Sequence, residues 1–591
     1  MKQIKRQILF FITFFGLVLL SSCKEDVPHT FYVGPYVQNV SMDGINISWE
    51  GVVVSDGTVF YGKTEELGTE LSDNKNAKLH EVVLSGLETD TKYFYQVESA
   101  GKKSEIFHFN TAVEKDSPFS FAVYGDNKNG PFNHEKVANL ISVSDADFVL
   151  HNGDLVDRGR VHKQWEKLFF TPTRNMISHI PIFTIQGNHE DNDPNYYNYF
   201  TPPSDNKGWY SFDFGNAHFI ILSSDEEFLL DDDEQVKWLV NDLKENQHQT
   251  WRFVLQHHPP YSSGGQYYSD TRIKIKDLVV PIFNEYNVDM VLNGHDHHYE
   301  RSLPIIGENA NMPITYIVCG NGGTPMRYVI PSNFTKIAKR VFGFTSIEID
   351  GSVMSYKHTM LNGEILDEFV LDKKDPSSVE SYKEGMLTFE TMADVSLDVA
   401  EAVEEGDDLF GDDELYEEAI AKFEWALEKD PNCLIAKGLM ANCYVGLGDF
   451  DKAKGLALET YEEIPQFPDT YEALIDIYIE LENWDEALLW TDRLEEVTAD
   501  SPDAAEYRSE IFEKMNDLPK AIEALMAGIS IVPNDAELHF DLADLYGDFG
   551  DTTLMLQSLK IGADWFMAPE DDEDYVGYLE VLERIKNLEN N

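Results

Sequence analysis

Between residues 398 and 569 the chain repeats itself every 34 residues. Ala419, Ala453, Ala487 and Ala521 stand at that interval, as do Tyr444, Tyr478, Phe512 and Tyr546. Tyr416, Phe450, Trp484 and Leu518 keep the same spacing, and so do Pro431 and Pro465, with Pro533 in register. A period of this length holds two helices and a turn. Small alanines let the paired helices approach, aromatic side chains fill the gaps, and proline marks the turn. One such unit cannot bury its apolar face alone, so neighbours must stack into a solenoid with atypical ends. Four to five units are expected over 398–591, closed by a capping helix over 572–587. This fixes the C-terminal part as all-α and leaves the rest of the 591 residues to other domains.

The period and its residue pattern resemble tetratricopeptide repeats, which implies a surface for a protein or peptide partner. Residues 30–113 read differently. INISWEG alternates apolar and polar residues, and TVFYG and KYFYQVES follow between turn signals, the pattern of short strands. In GLETDTKYFYQV, Leu87 and Tyr93 are placed as in the tyrosine corner of a fibronectin-type β-sandwich, with Trp49 as its core tryptophan.

Residues 114–375 alternate strand-like and helix-like segments, and one local design appears five times. FSFAVYGD ends in Asp126, DFVLHNGD in Asp154, and IPIFTIQGNHE carries Asn188 and His189. RFVLQHHP carries His257 and His258, and VDMVLNGHDHH carries His295, Asp296, His297 and His298. Each is an apolar run of strand length followed by a loop bearing oxygen or nitrogen donors. In layered α/β folds the loops at the carboxyl ends of strands meet at one crevice. Five solvated turns do not explain five such endings; a shared metal site does.

The blocks GDNK (125–128), GDLVDRG (153–159), GNHE (187–190), HHPPYS (257–262) and GHDHHYER (294–301) resemble those of the calcineurin-like metallophosphoesterases. Together with the β domain that begins GPYVQNVSMDGINISWE, they resemble the purple acid phosphatase branch. The resemblance implies an α/β metallophosphoesterase fold of packed sheets flanked by helices, and a phosphoester hydrolase using two divalent or trivalent metal ions (Fe, Zn or Mn). It implies one ion on Asp126, Asp154 and His297, and another on Asp154, Asn188, His257 and His295, with Asp154 bridging. A hydroxide held there would attack phosphorus in line, with His189 as general acid. Two departures qualify this. Purple acid phosphatases carry a tyrosine three residues after the bridging aspartate, where this chain has Asp157, so neither the colour nor an obligatory ferric ion is expected. Many other relatives carry a histidine where this chain has Lys128; water, Asn127 or Asp157 is expected to fill that gap. GDLVDRG instead resembles the serine/threonine phosphatases, which implies Asp157 orienting His189 and Arg158 gripping phosphate. His258 and His298 stay open between substrate-facing and packing roles. His151 and His162 read as structural, and Tyr299, Glu300 and Arg301 as loop scaffolding.

The first residues carry Lys2, Lys5 and Arg6, then an apolar run from Ile8 to Leu20 that is too short for a comfortable membrane span. Leu20-Ser21-Ser22-Cys23 resembles a lipobox, implying a signal peptide over 1–22 and lipidation of Cys23 after cleavage. Lys24-Glu25-Asp26 in the 23–29 linker resembles a surface-export tag, so an outer-membrane lipoprotein is expected, at the cell surface or facing the periplasm. A second linker is expected over 376–397. Cys433 and Cys443 lie about 15 Å apart along one helix, beyond the ~7 Å a disulfide spans, so no disulfides are expected. The formal charge of −60 falls mostly after residue 380 and excludes a nucleic-acid backbone as ligand. The expected activity is an acid-phosphatase-like monoesterase. The alternatives are a phosphodiesterase or nucleotide-hydrolysing enzyme, and a repeat scaffold carrying an inert phosphoesterase domain. Substrate choice is expected in loops 191–208 and 262–272.

Overall fold

The computed structural model describes residues 31–73, 75–203, 208–224, 233–307, 310–389, 391, 394–411, 415–567 and 575–589. The expected signal peptide and Cys23 lie outside these residues.

The strands Phe31–Gln38, Gly44–Ser55 and Ala77–Ser85 form one sheet of the N-terminal sandwich, and Gly57–Gly62, Thr69–Ser72, Lys92–Ser99 and Phe107–Asn110 lie in the other. Trp49, Tyr95 and Phe109 fill the space between them. The Tyr93 hydroxyl accepts a hydrogen bond from the Glu88 amide at 3.0 Å, closing the expected tyrosine corner. The sandwich does not stop at residue 113 as a separate unit. Phe31–Gln38 pairs in parallel with Ile182–Thr184, so its sheet runs on into the next domain as nine continuous strands. An unpaired edge strand exposes a row of backbone donors and acceptors, and this junction satisfies one such edge on each side.

In the central domain Phe119–Tyr124, Phe148–His151 and Ile182–Thr184 are parallel neighbours in that sheet. Ala217–Leu222, Trp251–Gln256, Met290–Asn293 and Thr315–Cys319 are parallel neighbours in a second, seven-stranded sheet. The inner faces meet through Phe121, Phe148, Phe219 and Phe253, with ring centroids 5.1–5.3 Å apart. Pro131–Ser142 and Thr171–Ile177 cover the outer face of the first sheet, and Asp233–Glu245 and Asp270–Glu285 that of the second. Strands covered on both faces read as unbroken apolar runs, which is why FVLH and MVLN show no alternation. Parallel neighbours place their carboxyl ends on one edge, so the five ligand-bearing loops emerge together.

The stretch 376–397 is not a free linker. It carries the helix Pro376–Tyr382 and the strand Leu387–Thr388, which pairs with Ile305–Ile306. Asp394 then pairs with Arg272 at 2.7 Å and Lys276 at 2.5 Å. Beyond it come five antiparallel helix pairs from Leu397 to Trp565 and a final helix, Tyr575–Glu589. Ala419, Ala453, Ala487 and Ala521 are fully buried where the paired helices cross. Cys319, Cys433 and Cys443 are free and buried.

Candidate active site

The strand Phe119–Tyr124 delivers Asp126, Phe148–His151 delivers Asp154, Ile182–Thr184 leads to Asn188 and His189, Trp251–Gln256 leads to His257, and Met290–Asn293 leads to His295 and His297. Asp126, Asp154 and His295 hold positive φ (56°, 56° and 69°). Such left-handed backbone in non-glycine residues survives only where the surroundings impose it, as at functional sites. Glycine precedes each of them for a steric reason. A Cβ on Gly125 would collide with Asn152 Oδ1, one on Gly153 with His257 Nδ1, and one on Gly294 with Asp126 Oδ2.

The donor atoms converge. Potential ligand atoms of Asp126, Asp154 and His257 lie within 4.8 Å of one another, and so do those of His257, His258 and His295. Asn188 Oδ1 stands 3.1 Å from both His257 Nε2 and His295 Nδ1. His257 Nε2 is 3.4 Å from Asp154 Oδ1, and His297 Nε2 is 3.8 Å from Asp126 Oδ1. The carbonyl of Asn152 can only accept, so His257 donates to it through Nδ1 at 2.8 Å. That leaves the His257 Nε2 lone pair aimed at the acceptor Asn188 Oδ1. His297 likewise donates through Nδ1 to the Pro325 carbonyl at 3.1 Å, and its buried Nε2 has no hydrogen-bond partner. Converging lone pairs and an orphaned imidazole nitrogen suit cations, and the mixture of imidazole, carboxylate and amide oxygen suits zinc, iron or manganese.

Electrostatics agree. Burial, reinforced by nearby cationic groups, holds His295 and His297 well below the usual imidazole range, and His257 is lowered mainly by burial. All three therefore stay neutral, as ligands must. Burial and the charge of Asp154 push Asp126 well above the carboxylate range. Asp154 is also lifted by burial, but His257 and Lys128 outweigh this and its carboxyl falls below the usual range. Two buried carboxylates that disfavour each other's charge are relieved by a cation between them.

Around this centre the side chains divide by what they touch. Lys128 donates to Asp154 Oδ2 at 2.7 Å. Asn127 does not fill the expected gap: its amide donates to the Leu155 carbonyl at 2.8 Å and its oxygen meets His151 Nε2 at 2.7 Å. His189 lends its backbone amide to Asp154 Oδ1 at 3.2 Å. Its Nδ1 donates to the main-chain carbonyl of Asp157 at 2.7 Å, with the Asp157 carboxylate 3.7 Å away. The backbone rather than the carboxylate of Asp157 therefore makes the closer contact with this ring. Arg158 and His297 line one cavity together with Arg327. His258 bonds Ser224 at 3.0 Å with its ring 4.3 Å from that of His295, placing it against the site. His298 is buried on Glu300 at 3.1 Å, a packing role. Asp296 accepts from Ser262, away from the ligand cluster. Arg301 clamps Asp367 with two bonds of 2.6 and 2.7 Å. Tyr199 holds His162, at 2.9 Å.

Two residues were not legible as functional. Glu190 accepts backbone amides of Asp154, Leu155, Val156 and Gly187 at 2.5–3.1 Å, locking two ligand loops together. Burial, with the charge of Asp154, pushes its carboxyl up to about 8. It sits in the GNHE block but shows its role only through contacts with GDLV. Arg327 lies outside all five blocks; its backbone amide bonds the His297 carbonyl at 3.1 Å.

Comparison with known proteins supports the same reading. The calcineurin-like phosphoesterase family matches residues 119–299, the N-terminal domain of purple acid phosphatase matches 36–111, and a tetratricopeptide repeat matches 412–459. Acid phosphatase type 7 of Homo sapiens is 30% identical over 317 residues, covering 46% of this chain and 71% of that protein. Its counterpart in Danio rerio is 25% identical over 427 residues, covering 61% and 94%. The purple acid phosphatase PPD1 from yellow lupin shares the fold, with a TM-score of 0.50 and 19% identity over 61% of this chain and 77% of that one. With its donor set and these relatives, the chain belongs to the calcineurin-like phosphoesterases, in the purple acid phosphatase-like group, and is a phosphoric ester hydrolase.

Proposed function

We propose that this chain hydrolyses phosphate monoesters outside the cell, held to a membrane by lipid on Cys23, with His189 as the proton donor to the leaving oxygen. The observation that carries the hydrolytic part is the convergence of Asp126, Asp154, Asn188, His257, His295 and His297 from five strand ends, with His189 on the same loop as Asn188. When bound, a pair of cations supplies Lewis acidity: it neutralises phosphoryl charge and makes water nucleophilic near neutral pH. Asp154 would bridge the pair, Asp126 and His297 would complete one position, and Asn188, His257 and His295 the other.

The chain's own residues do the rest. Arg158 and Arg327 face the cavity beside His297 and orient the phosphate by charge-assisted hydrogen bonds. The Asp157 carbonyl fixes the ring of His189 through Nδ1, so Nε2 is the atom that exchanges a proton with the leaving oxygen. Lys128, donating to Asp154 Oδ2 at 2.7 Å, keeps Asp154 ionised. The deciding experiment pairs elemental analysis with hydrolysis of para-nitrophenyl phosphate. Chelator-sensitive turnover with two metals per chain supports the proposal, and a folded, metal-loaded protein inert toward monoesters, diesters and nucleotides overturns it.

A second reading concerns the repeats. Glu472, Asp503, Glu506, Glu510, Asp541 and Asp544 line an open groove of about 580 Å³. A basic partner fits that charge, and salt-sensitive binding of a basic peptide, lost on neutralising Glu506 and Asp541, is its test.

A further inference from the structure

The repeats do not stand clear of the enzyme. The loops joining successive repeats lie along one edge of the solenoid, and that edge rests on the rim of the catalytic face. Phe467 packs on Tyr328 with ring centroids 5.1 Å apart. Asp500 accepts the Met326 amide at 2.6 Å and pairs with Arg340 at 2.5 Å. Asn534, 34 residues further on, donates to the Asn129 carbonyl at 2.9 Å. Asp564 pairs with Lys167 at 2.8 Å, and Lys167 lies 4.5 Å over the Trp565 ring. The segment Thr324–Tyr328 joins the two parts. It bonds Asp126 and His297 through the Thr324 and Arg327 amides, at 3.0 and 3.1 Å, while Met326 and Tyr328 meet the repeats.

Between the metal ligands and this edge lies a cavity of about 620 Å³. That lies within the range of small-molecule sites, ~300–1,000 Å³. Its two walls differ in chemistry. Arg158 and Arg327, beside Asp157 and the neutral His297, form the catalytic wall, and the two guanidinium groups suit phosphate. Trp565, Phe566 and Val532 form an apolar wall contributed by the last two repeats, with Asn534 and Asp535 bringing polar atoms to its border. Trp565 and Phe566 are half-buried and line the cavity, with Phe132 edge-on to the Trp565 ring at 5.9 Å and Tyr578 stacked on Phe566 at 5.4 Å behind them. A phosphoester anchored on the catalytic wall has the apolar wall facing it across the cavity.

Resting on the hydrolase reading above, we propose that the terminal repeats are the specificity wall of this enzyme. Trp565 and Phe566 receive the leaving group, and the site selects monoesters whose leaving group is a flat ring of nucleoside size or smaller. Trp565, Phe566 and Val532 are then specificity-determining residues contributed by a domain otherwise read as a partner surface.

The test compares flat and non-flat ligands on the full-length, metal-loaded chain. Equilibrium binding of phenylphosphonate and ethylphosphonate is measured by calorimetry, beside kcat/KM for phenyl and ethyl phosphate. The parent is expected to prefer the phenyl ligand by about tenfold or more, as stacking on an aromatic ring implies. Trp565→Ala removes the platform and should erase that preference through affinity and KM, with metal content unchanged. Trp565→Phe should restore most of it. Val532→Trp fills the cavity from its side and should exclude the phenyl ligands, so the test survives if Trp565→Ala fails to fold. Equal binding of the two phosphonates by the parent, or an unaltered preference in the folded Trp565→Ala and Val532→Trp variants, overturns the proposal. If the phenyl preference is found in binding while neither ester is hydrolysed, the wall stands and the hydrolase reading falls.

Discussion

Two parts of this molecule collect carboxylates, and they do so in opposite ways. At the strand ends, Asp126 and Asp154 are fully buried among imidazoles, an amide and the Lys128 ammonium. In the solenoid groove, Glu472, Asp503, Glu506 and Asp541 face mostly one another. The catalytic cluster splits its acids: Asp154 is driven toward its charged form and Asp126 away from it. Every groove carboxyl with a resolved shift is driven away from its charge: burial, then neighbouring acids, lift Glu472 to about 8 and Glu506 to about 7. A count of acidic residues therefore separates nothing. What distinguishes a cation site is a mixed donor set held at contact distance by backbone that has no other reason to be strained.

The largest break in this contrast is expected at the bridging position. Asp154→Asn removes one charge, at a fully buried side chain, from a set of six donors, so bound metal measured by elemental analysis should fall and turnover should drop to background. Neutralising Asp541 in the groove should change neither. If Asp154→Asn keeps full metal and rate, the strand-end cluster is no more a site than the groove is. Next comes His189→Ala. General acid catalysis contributes about 10²–10⁴-fold, so kcat should fall by that order while metal content holds. The split between metal and rate separates proton transfer from ligation. Smaller again is Arg327→Ala, where loss of one charge-assisted contact of about 1.5–3 kcal/mol should raise KM roughly tenfold or more. A pure scaffold role for Arg327 would instead lower the melting temperature and leave KM unaltered.

The same contrast governs what could be read from the chain alone. The solenoid was legible because one unit is written several times, and Ala419 or Ala453 needs only its period to be placed. The converging donors were legible because they follow five strands within a few residues. Arg327 had no such local signal; it acquires meaning only when the His297 loop folds beside it. Glu190 was visible in GNHE, but its four amide bonds reach back to residues 154–156 and 187. The junction of Phe31–Gln38 with Ile182–Thr184 and the docking of Asp500 and Asn534 are contacts between segments far apart in sequence. Hydrophobic periodicity sets which face of an element is buried, not which distant element covers it.

The smallest expected effect concerns the groove itself, and its sign follows from proton linkage. Glu472 faces Asp469 and Asp476 on its own helix and Asp503 on the first helix of the following repeat, and its folded carboxyl is raised to about 8. An unfolded glutamate titrates near ~4.3. Between those values the folded repeats bind more protons than the unfolded chain, so stability is fully present below about pH 4.3 and is lost as pH rises toward 8. Asp476 and Glu506, each raised to about 7, act in the same direction. Asp394 and Asp367, held down by Arg272 and Arg301 against the upward push of burial, act oppositely. Their contribution is lost only as pH falls below the ordinary carboxylate range. The repeats should therefore melt highest in mildly acidic solution. Glu472→Gln mimics the protonated acid and should raise the solenoid's melting temperature by about 2–4 °C at pH 8, with little change at pH 5. A variant that stabilises equally at both values would mean that packing rather than repulsion acts at Glu472. The groove would then differ from the catalytic cluster in depth alone and not in the way it handles charge.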